Sequence, residues 1–237
     1  MLISRMFQPV EALFDCLPDI VFFVKDRDGR YAVVNETLVA RCGAADKSAL
    51  IGKTASQAHG RALGQGYEDQ DRAVLGAGEP IVNQLELHVY PNRSIGWCLT
   101  NKRAVRDGDG AVAGVAGVSQ DLRAPDMDHE DYRRLQPAIL YTNENLARPP
   151  SVGALARIAG LSPYQLDRRM KRVFGLSAGQ WVLKQRLDLA RRALAHSPAP
   201  IAEIALNAGY RDQSAFTRQF RRATGLTPSA FRRAQRR

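Results

Sequence analysis

Arg168-Arg-Met-Lys-Arg-Val-Phe-Gly-Leu-Ser177 and Arg218-Gln-Phe-Arg-Arg-Ala-Thr-Gly-Leu-Thr227 are two versions of one pattern, 50 residues apart. Just upstream, Ala156-Arg-Ile-Ala-Gly160 returns as Ala205-Leu-Asn-Ala-Gly209 at an offset of 49, so the second copy holds one extra residue in its turn. Each copy reads as helix, glycine-containing turn, helix, the helix-turn-helix arrangement. In the first copy Ser151 caps a helix through Ala159 and Gly160 breaks it. Ser162, Pro163 and Gln165 then supply the cap, the first helical position and the reciprocal cap of the next helix. In the second copy a helix runs from Pro200 through Ala208, Gly209 ends it, and Asp212 caps its successor.

The second helix of each copy has two faces. Leu166, Met170, Val173 and Phe174 share one side. At about 100° per residue, Tyr164, Arg168 and Lys171 fall on the other. In the repeat, Phe216, Phe220 and Ala223 make the apolar side, and Ser214, Arg218 and Arg221 fall opposite. Between the copies, Ser177 to Ala195 reads as one long helix with Leu183, Leu187, Ala190 and Leu194 on a face. A connector of fixed length would hold the two reading helices one major-groove turn, ~34 Å, apart on one side of DNA.

The charge agrees. Residues 1–124 hold 14 basic and 15 acidic side chains, whereas 125–237 hold 20 and 9. The whole excess therefore sits in the half with the repeat, where a polyanion is the expected partner. All but two of those 20 cations are Arg, whose planar fork suits phosphate and guanine.

Ahead of the repeat the pattern changes to strands and turns. A short helix is expected over Pro9 to Leu17. Ile20–Val24 and Tyr31–Val34 form a hairpin around Asp26-Arg-Asp-Gly29. Asn35 is placed to cap a following helix carrying Leu38 and Val39, and residues 43–80 read as short helices and loops. Strands are expected near 81–89, 96–105 and 111–120, the last two joined by Asp107-Gly-Asp-Gly110. The expected fold class is α+β: a five-stranded antiparallel sheet with helices on one face, then an all-α double helix-turn-helix domain. The domain boundaries read as 1–123, a polar acidic linker over 124–131, and 132–237. The segment 122–136 is expected to couple the two domains.

The first part resembles the PAS fold over about residues 10–123. The likeness rests on Leu17-Pro-Asp19, Lys25-Asp-Arg-Asp-Gly-Arg30, Val34-Asn35, Leu50-Ile-Gly-Lys-Thr54 and Asp71 with Val74-Leu75 and Gly78-Glu-Pro80. It continues in Trp97-Cys-Leu-Thr-Asn-Lys102, Asp109-Gly110 and Gly114 through Asp121. The second part, about 132–235, resembles the AraC/XylS family of bacterial transcription regulators. The residues are Leu161-Ser-Pro163, Leu166 with Arg168, Phe174-Gly-Leu-Ser177, Arg186-Leu187, Ala190, Leu194, Ile201 through Ala205, Gly209-Tyr210, Phe216-Thr-Arg218 and Phe220 through Pro228.

That resemblance implies sequence-specific binding of double-stranded promoter DNA, with RNA polymerase as a further partner. It places base contacts on Tyr164, Asp167 and Arg168 and on Gln213, Ser214, Thr217 and Arg218, with Lys171 and Arg221 beside them. Asp167 departs from the uncharged polar residue common there. It would accept from cytosine N4 or pair with a nearby Arg. The PAS-like part implies sensing of a small molecule or other signal. The alternative is a domain that serves only as a homodimer or protein-partner surface. Phe23, Trp97 and Cys98 are the candidate pocket liners.

Other classes find less support. Cys16, Cys42 and Cys98 are scattered and odd in number, which predicts neither a disulfide framework nor a metal site. No nucleophile–base constellation is evident, so no enzyme activity is expected. Cys42 lies in Ala-Arg-Cys-Gly rather than the Asn-Cys-Arg of flavin-binding light sensors, and His59 and His88 are the sole N-terminal candidates for a haem ligand. Neither flavin nor haem is supported by motif, and the cofactor stays open. No apolar run approaches the ~20 residues that span a bilayer, and the N-terminus lacks signal-peptide character. The expected location is cytoplasmic, without membrane association.

Overall fold

The computed structural model describes residues 2–89 and 95–235. Along the chain it separates into two compact units that part between Asp121 and Leu122, with the short stretch Arg221–Leu226 grouped with the first.

The first unit is a sheet of β1 (Ile20–Asp26), β2 (Tyr31–Val34), β3 (Ile81–Val89), β4 (Ile95–Arg106) and β5 (Val112–Asp121), in the order β2-β1-β5-β4-β3. All neighbours are antiparallel. The interior strand β1 carries an unbroken apolar run, so both faces of the sheet need cover. On one face Val21 and Phe23 pack with Leu38, Val39 and Leu50. On the other, Phe22 and Val24 pack against Phe7, Val10 and Phe14 of α1 (Leu2–Asp15). Helices thus lie on both faces rather than one, and α1 begins well upstream of Pro9. Asn35 does more than cap α2 (Glu36–Cys42). Its carboxamide accepts from Leu38 N–H and Phe22 N–H and donates to the Phe14 and Ile20 carbonyls, joining α1, β1 and α2 at one buried point.

The stretch expected as short helices holds α3 (Ala55–His59) and then a continuous 17-residue helix, α4 (Arg61–Ala77). Gly64 lies where α4 crosses α3, because a Cβ there would lie 2.3 Å from the Ser56 Cα.

The second unit is helical. It comprises α5 (Glu130–Glu144), α6 (Val152–Ile158), α7 (Pro163–Phe174), α8 (Ala178–His196), α9 (Ile201–Asn207), α10 (Gln213–Thr224) and α11 (Pro228–Gln235). Ser162 and Ser177 each form the reciprocal cap with a glutamine three residues on, and Ser151 caps α6. Leu187, Ala190 and Leu194 of α8 are fully buried, as the connector pattern predicts. Glu130 and Asp131, expected as the end of a linker, form the first turn of α5. Asp131 is buried and accepts from Arg172 of α7 at 2.6 Å and from Arg169. Burial alone would raise its pKa, but the two guanidiniums hold it below the usual carboxylate range.

Candidate nucleic-acid interface and buried cavity

Helix α7 is anchored by Leu166 and Met170, which are buried, with Val173 and Phe174 half-buried. Its other side carries Tyr164, 75% exposed, with Arg168 and Lys171 also exposed. These three and Asp167 line a single concave surface of about 610 Å³ with Pro163 and Ser177. Helix α10 repeats the design. Phe216 and Phe220 have no exposed surface, whereas Gln213, Ser214, Arg218 and Arg221 are exposed and Thr217 is half-buried. Asp212 caps α10 by accepting the Ala215 N–H at 2.7 Å. A ring ladder fixes the buried side, with Tyr210–Phe216, Phe216–Phe220 and Phe220–Phe231 centroids 5.1, 5.3 and 5.4 Å apart.

Asp167 has a role that neither sequence alternative foresaw. Its carboxylate accepts the Ala178 N–H at 2.8 Å, at the first residue of α8. An anion at a helix N-terminus satisfies an orphan donor and opposes the helix dipole. Asp167 therefore ties the connector to α7.

Arg186 performs the matching task for the second copy. Its Nε donates to the Ala208 carbonyl and its Nη2 to the Gly209 carbonyl, both at 2.8 Å, and its guanidinium lies 4.0 Å from the Tyr210 ring centroid. The fork closes the end of α9. Gly209 itself is constrained, with φ at 77° and a Cβ position only 2.4 Å from the Leu146 carbonyl oxygen. Arg186→Lys keeps the charge but loses the fork and the stacking. Charged hydrogen bonds are worth roughly 1.5–3 kcal/mol each. The expected loss of helical-unit stability is at the lower end of that range, measured by urea unfolding. An unchanged midpoint would show that the fork contributes nothing.

In the first unit the strands and α2–α4 enclose a cavity of about 30 Å³, lined by Phe23, Tyr31, Tyr67 and an unusual set of polar groups. Lys25 and Lys102 both reach Asp71, at 2.5 and 2.6 Å, and none of the three is more than 3% exposed. Lys25 lies 4.4 Å from the Tyr31 ring centroid. Burial pushes the Lys25 amine down, although Asp71 opposes this. Burial would raise Asp71, but Lys102 and Lys25 hold it low. Burial, with Arg41, His59 and Lys102, lowers His88 to about 3, and burial with Lys25, Lys102 and Arg41 lowers His59 to about 4. The Cys98 thiol is pushed well up by burial and by Glu86.

Of the pocket residues expected from sequence, Phe23 lines the cavity. Cys98 lies on the cavity side, where its thiol stands 3.6 Å from the Thr100 hydroxyl. Trp97 does not join them: one residue out of phase with Cys98, it lies on the other face of the sheet. The lining mixes the apolar side chains of Val21, Phe23 and Leu38 with charged and polar ones. One cluster was missed altogether. Glu86, His88 and Cys98 bring a carboxylate oxygen, an imidazole nitrogen and a thiol within 4.8 Å of one another. The alternation Glu-Leu-His in β3 put two of them on one face. Pairing them with Cys98 needed the β3–β4 register.

A family profile described as a helix-turn-helix domain matches residues 155–234, and one described as a PAS fold matches 14–126. The regulatory protein SoxS of Escherichia coli K12 is 32% identical over 106 residues, 45% of this chain and 97% of SoxS. The arabinose operon regulatory protein of the same organism is 33% identical over 116 residues, 48% of this chain and 38% of that protein. The chain thus spans well under half the length of that longer relative. The DNA-binding domain of AdpA, solved in complex with a target DNA, is 33% identical, with 44% of this chain and 93% of that one covered and a TM-score of 0.41. Among the described residues no helix is long and apolar enough to cross a membrane. Because nearly the whole of SoxS is matched by this chain, and a PAS-fold match precedes the helix-turn-helix match, the chain belongs to the AraC family of helix-turn-helix transcription regulators and carries a PAS domain.

Proposed function

We propose that this chain binds promoter DNA by sequence, with α7 and α10 reading adjacent major-groove segments, and that the PAS domain sets that binding in response to a signal. The observation that carries the reading is the recurrence, in register, of a capped helix with a buried apolar side and an exposed side of Arg, Lys and short polar residues. One such helix is an ordinary amphipathic surface. Two, joined by a buried connector, suit a periodic polyanion. Double-stranded promoter DNA and RNA polymerase are the partners on this reading. Tyr164, Arg168, Lys171, Gln213, Ser214, Thr217, Arg218 and Arg221 form the contact set, with Asp167 positioning α7.

The test is a gel-shift titration of residues 122–237. The fragment starts there because a cut at 132 would remove Asp131, which holds Arg169 and Arg172 of α7. The fragment is expected to bind without the first unit and to weaken steeply with salt. Each neutralised phosphate adds about −0.9 to the log–log slope, so the four cations of the contact set, Arg168, Lys171, Arg218 and Arg221, alone give a slope of about −4. No binding at low salt would overturn the proposal.

The cavity beside the sheet, at about 30 Å³, is far smaller than the roughly 300–1,000 Å³ that drug-sized ligands occupy. That space suits a water molecule or an ion with its water more than an organic ligand.

A further inference from the structure

We propose that Glu86, His88 and Cys98 form a binding site for Zn²⁺ on the cavity side of the sheet. The backbone builds it. Glu86 stands directly opposite Cys98 in the β3–β4 ladder, and His88 lies two residues further along the same face. The three candidate ligand atoms lie within 4.8 Å and are buried. Tetrahedral zinc with bonds of about 2.0–2.3 Å holds its ligand atoms roughly 3.3–3.8 Å apart. About 1 Å of closure by side-chain rotation is therefore enough.

Hydrogen bonding at the cluster leaves it incomplete in the right places. Glu86 Oε1 accepts from the amides of Gln84, at 2.8 Å, and Gln70, which uses both of its lone pairs. Among the described residues Oε2 accepts only from the Thr100 hydroxyl, at 2.6 Å, so one lone pair remains for a metal. Thr100 is in turn steadied by Ser119 at 2.9 Å. Fixed outer partners of this kind orient a ligating carboxylate. The Nε2 atom of His88 is buried and has no hydrogen-bond partner among the described residues. A buried imidazole nitrogen left so is costly unless something occupies it.

The donor set selects the ion. A thiolate and a carboxylate cancel the charge of a divalent cation and leave a neutral centre, as a buried site requires. Sulfur and imidazole nitrogen disfavour Mg²⁺ and Ca²⁺, which take oxygen. The cavity has room for one water as a fourth ligand. The neighbouring Lys25 and Lys102 are engaged by Asp71. On binding, the Cys98 thiol proton leaves to solvent and the S–Zn bond takes its place. The site stands whether or not α7 and α10 read DNA.

The experiment uses the full chain, stripped with a chelator and titrated with Zn²⁺ against a chromophoric competitor, then with Co²⁺ as a spectroscopic probe. The expected result is one Zn²⁺ per chain and a thiolate-to-cobalt charge-transfer band. Cys98→Ser should remove the band and weaken Zn²⁺ by more than the 10–100-fold typical of losing an outer partner, and His88→Gln should weaken it comparably. In Cys16→Ser/Cys42→Ser, Cys98 is the sole thiol and the band should persist. Absence of zinc retention and of the band in the unmodified chain, loss of the band in that double variant, or undiminished binding in Cys98→Ser would each overturn the proposal. The unmodified chain and the double variant decide the matter even if substitutions at the site prevent folding.

Discussion

Asp71→Asn is expected to destabilise the first unit by about 3–5 kcal/mol, the cost of removing one partner from a buried ionic cluster. Asp71 pairs directly with both lysines, and all three side chains are almost fully shielded from water. Asparagine preserves shape but leaves two cations in a low-dielectric interior. The measurement is urea unfolding followed by Trp97 fluorescence in a Trp181→Phe background, which isolates the first unit because the chain has only two tryptophans. At a slope of ~2 kcal/mol per molar urea the midpoint should fall by about 2 M. Replacing the whole cluster, as Lys25→Met/Asp71→Leu/Lys102→Met, should recover most of the loss, since apolar groups of similar volume need no counter-charge. A midpoint within 0.3 M or so of the parent in Asp71→Asn would show that the lysines do not depend on this carboxylate.

This cluster also marks where reading the sequence stops. The resemblance to the PAS fold singled out Asp71, but its partners come from β1 and β4, 46 and 31 positions away. Short-range features were legible because their physics is short-range. Ser162 with Gln165 and Asn35 before α2 are contacts across three residues, and the strands are bounded by turn residues that local geometry demands. The failures share the opposite cause. Residues 43–80 read as short helices and loops, whereas α4 runs unbroken from Arg61 to Ala77 and Gly64 within it answers a non-local approach of two helices. Helices were expected on one face because nothing local says that α1 crosses to the other. Trp97 was grouped with Cys98 by adjacency, although strand parity sends the two to opposite faces. Asp131 and Asp167 looked like a linker residue and a base contact. Only the fold brings Arg169, Arg172 and the Ala178 N–H to them.

Arg168→Ala and Arg218→Ala are each expected to cost about 1–3 kcal/mol of discrimination against the wrong base, roughly 5- to 150-fold, with a smaller effect on binding to unrelated DNA. Both side chains are exposed at the middle of a helix whose opposite side is sealed into the core, so truncation leaves the fold intact. Arg233→Ala, in α11, removes a cation of the same kind from a surface outside the two reading helices. It should lower affinity for all sequences alike and reduce the salt slope by about one at most. The contrast separates a base contact from a phosphate contact, which overall affinity alone does not.

The most direct measurement starts from an operator selected from random DNA by the full chain. Affinity for that operator and for a scrambled duplex is then determined at one fixed salt concentration for the parent, Arg168→Ala, Arg218→Ala and Arg233→Ala. The expected result is a ratio that collapses for the first two variants, each at a different half of the operator, and stays at the parental value for Arg233→Ala. Equal ratios in all four proteins would contradict the assignment of α7 and α10 as the helices that read the sequence.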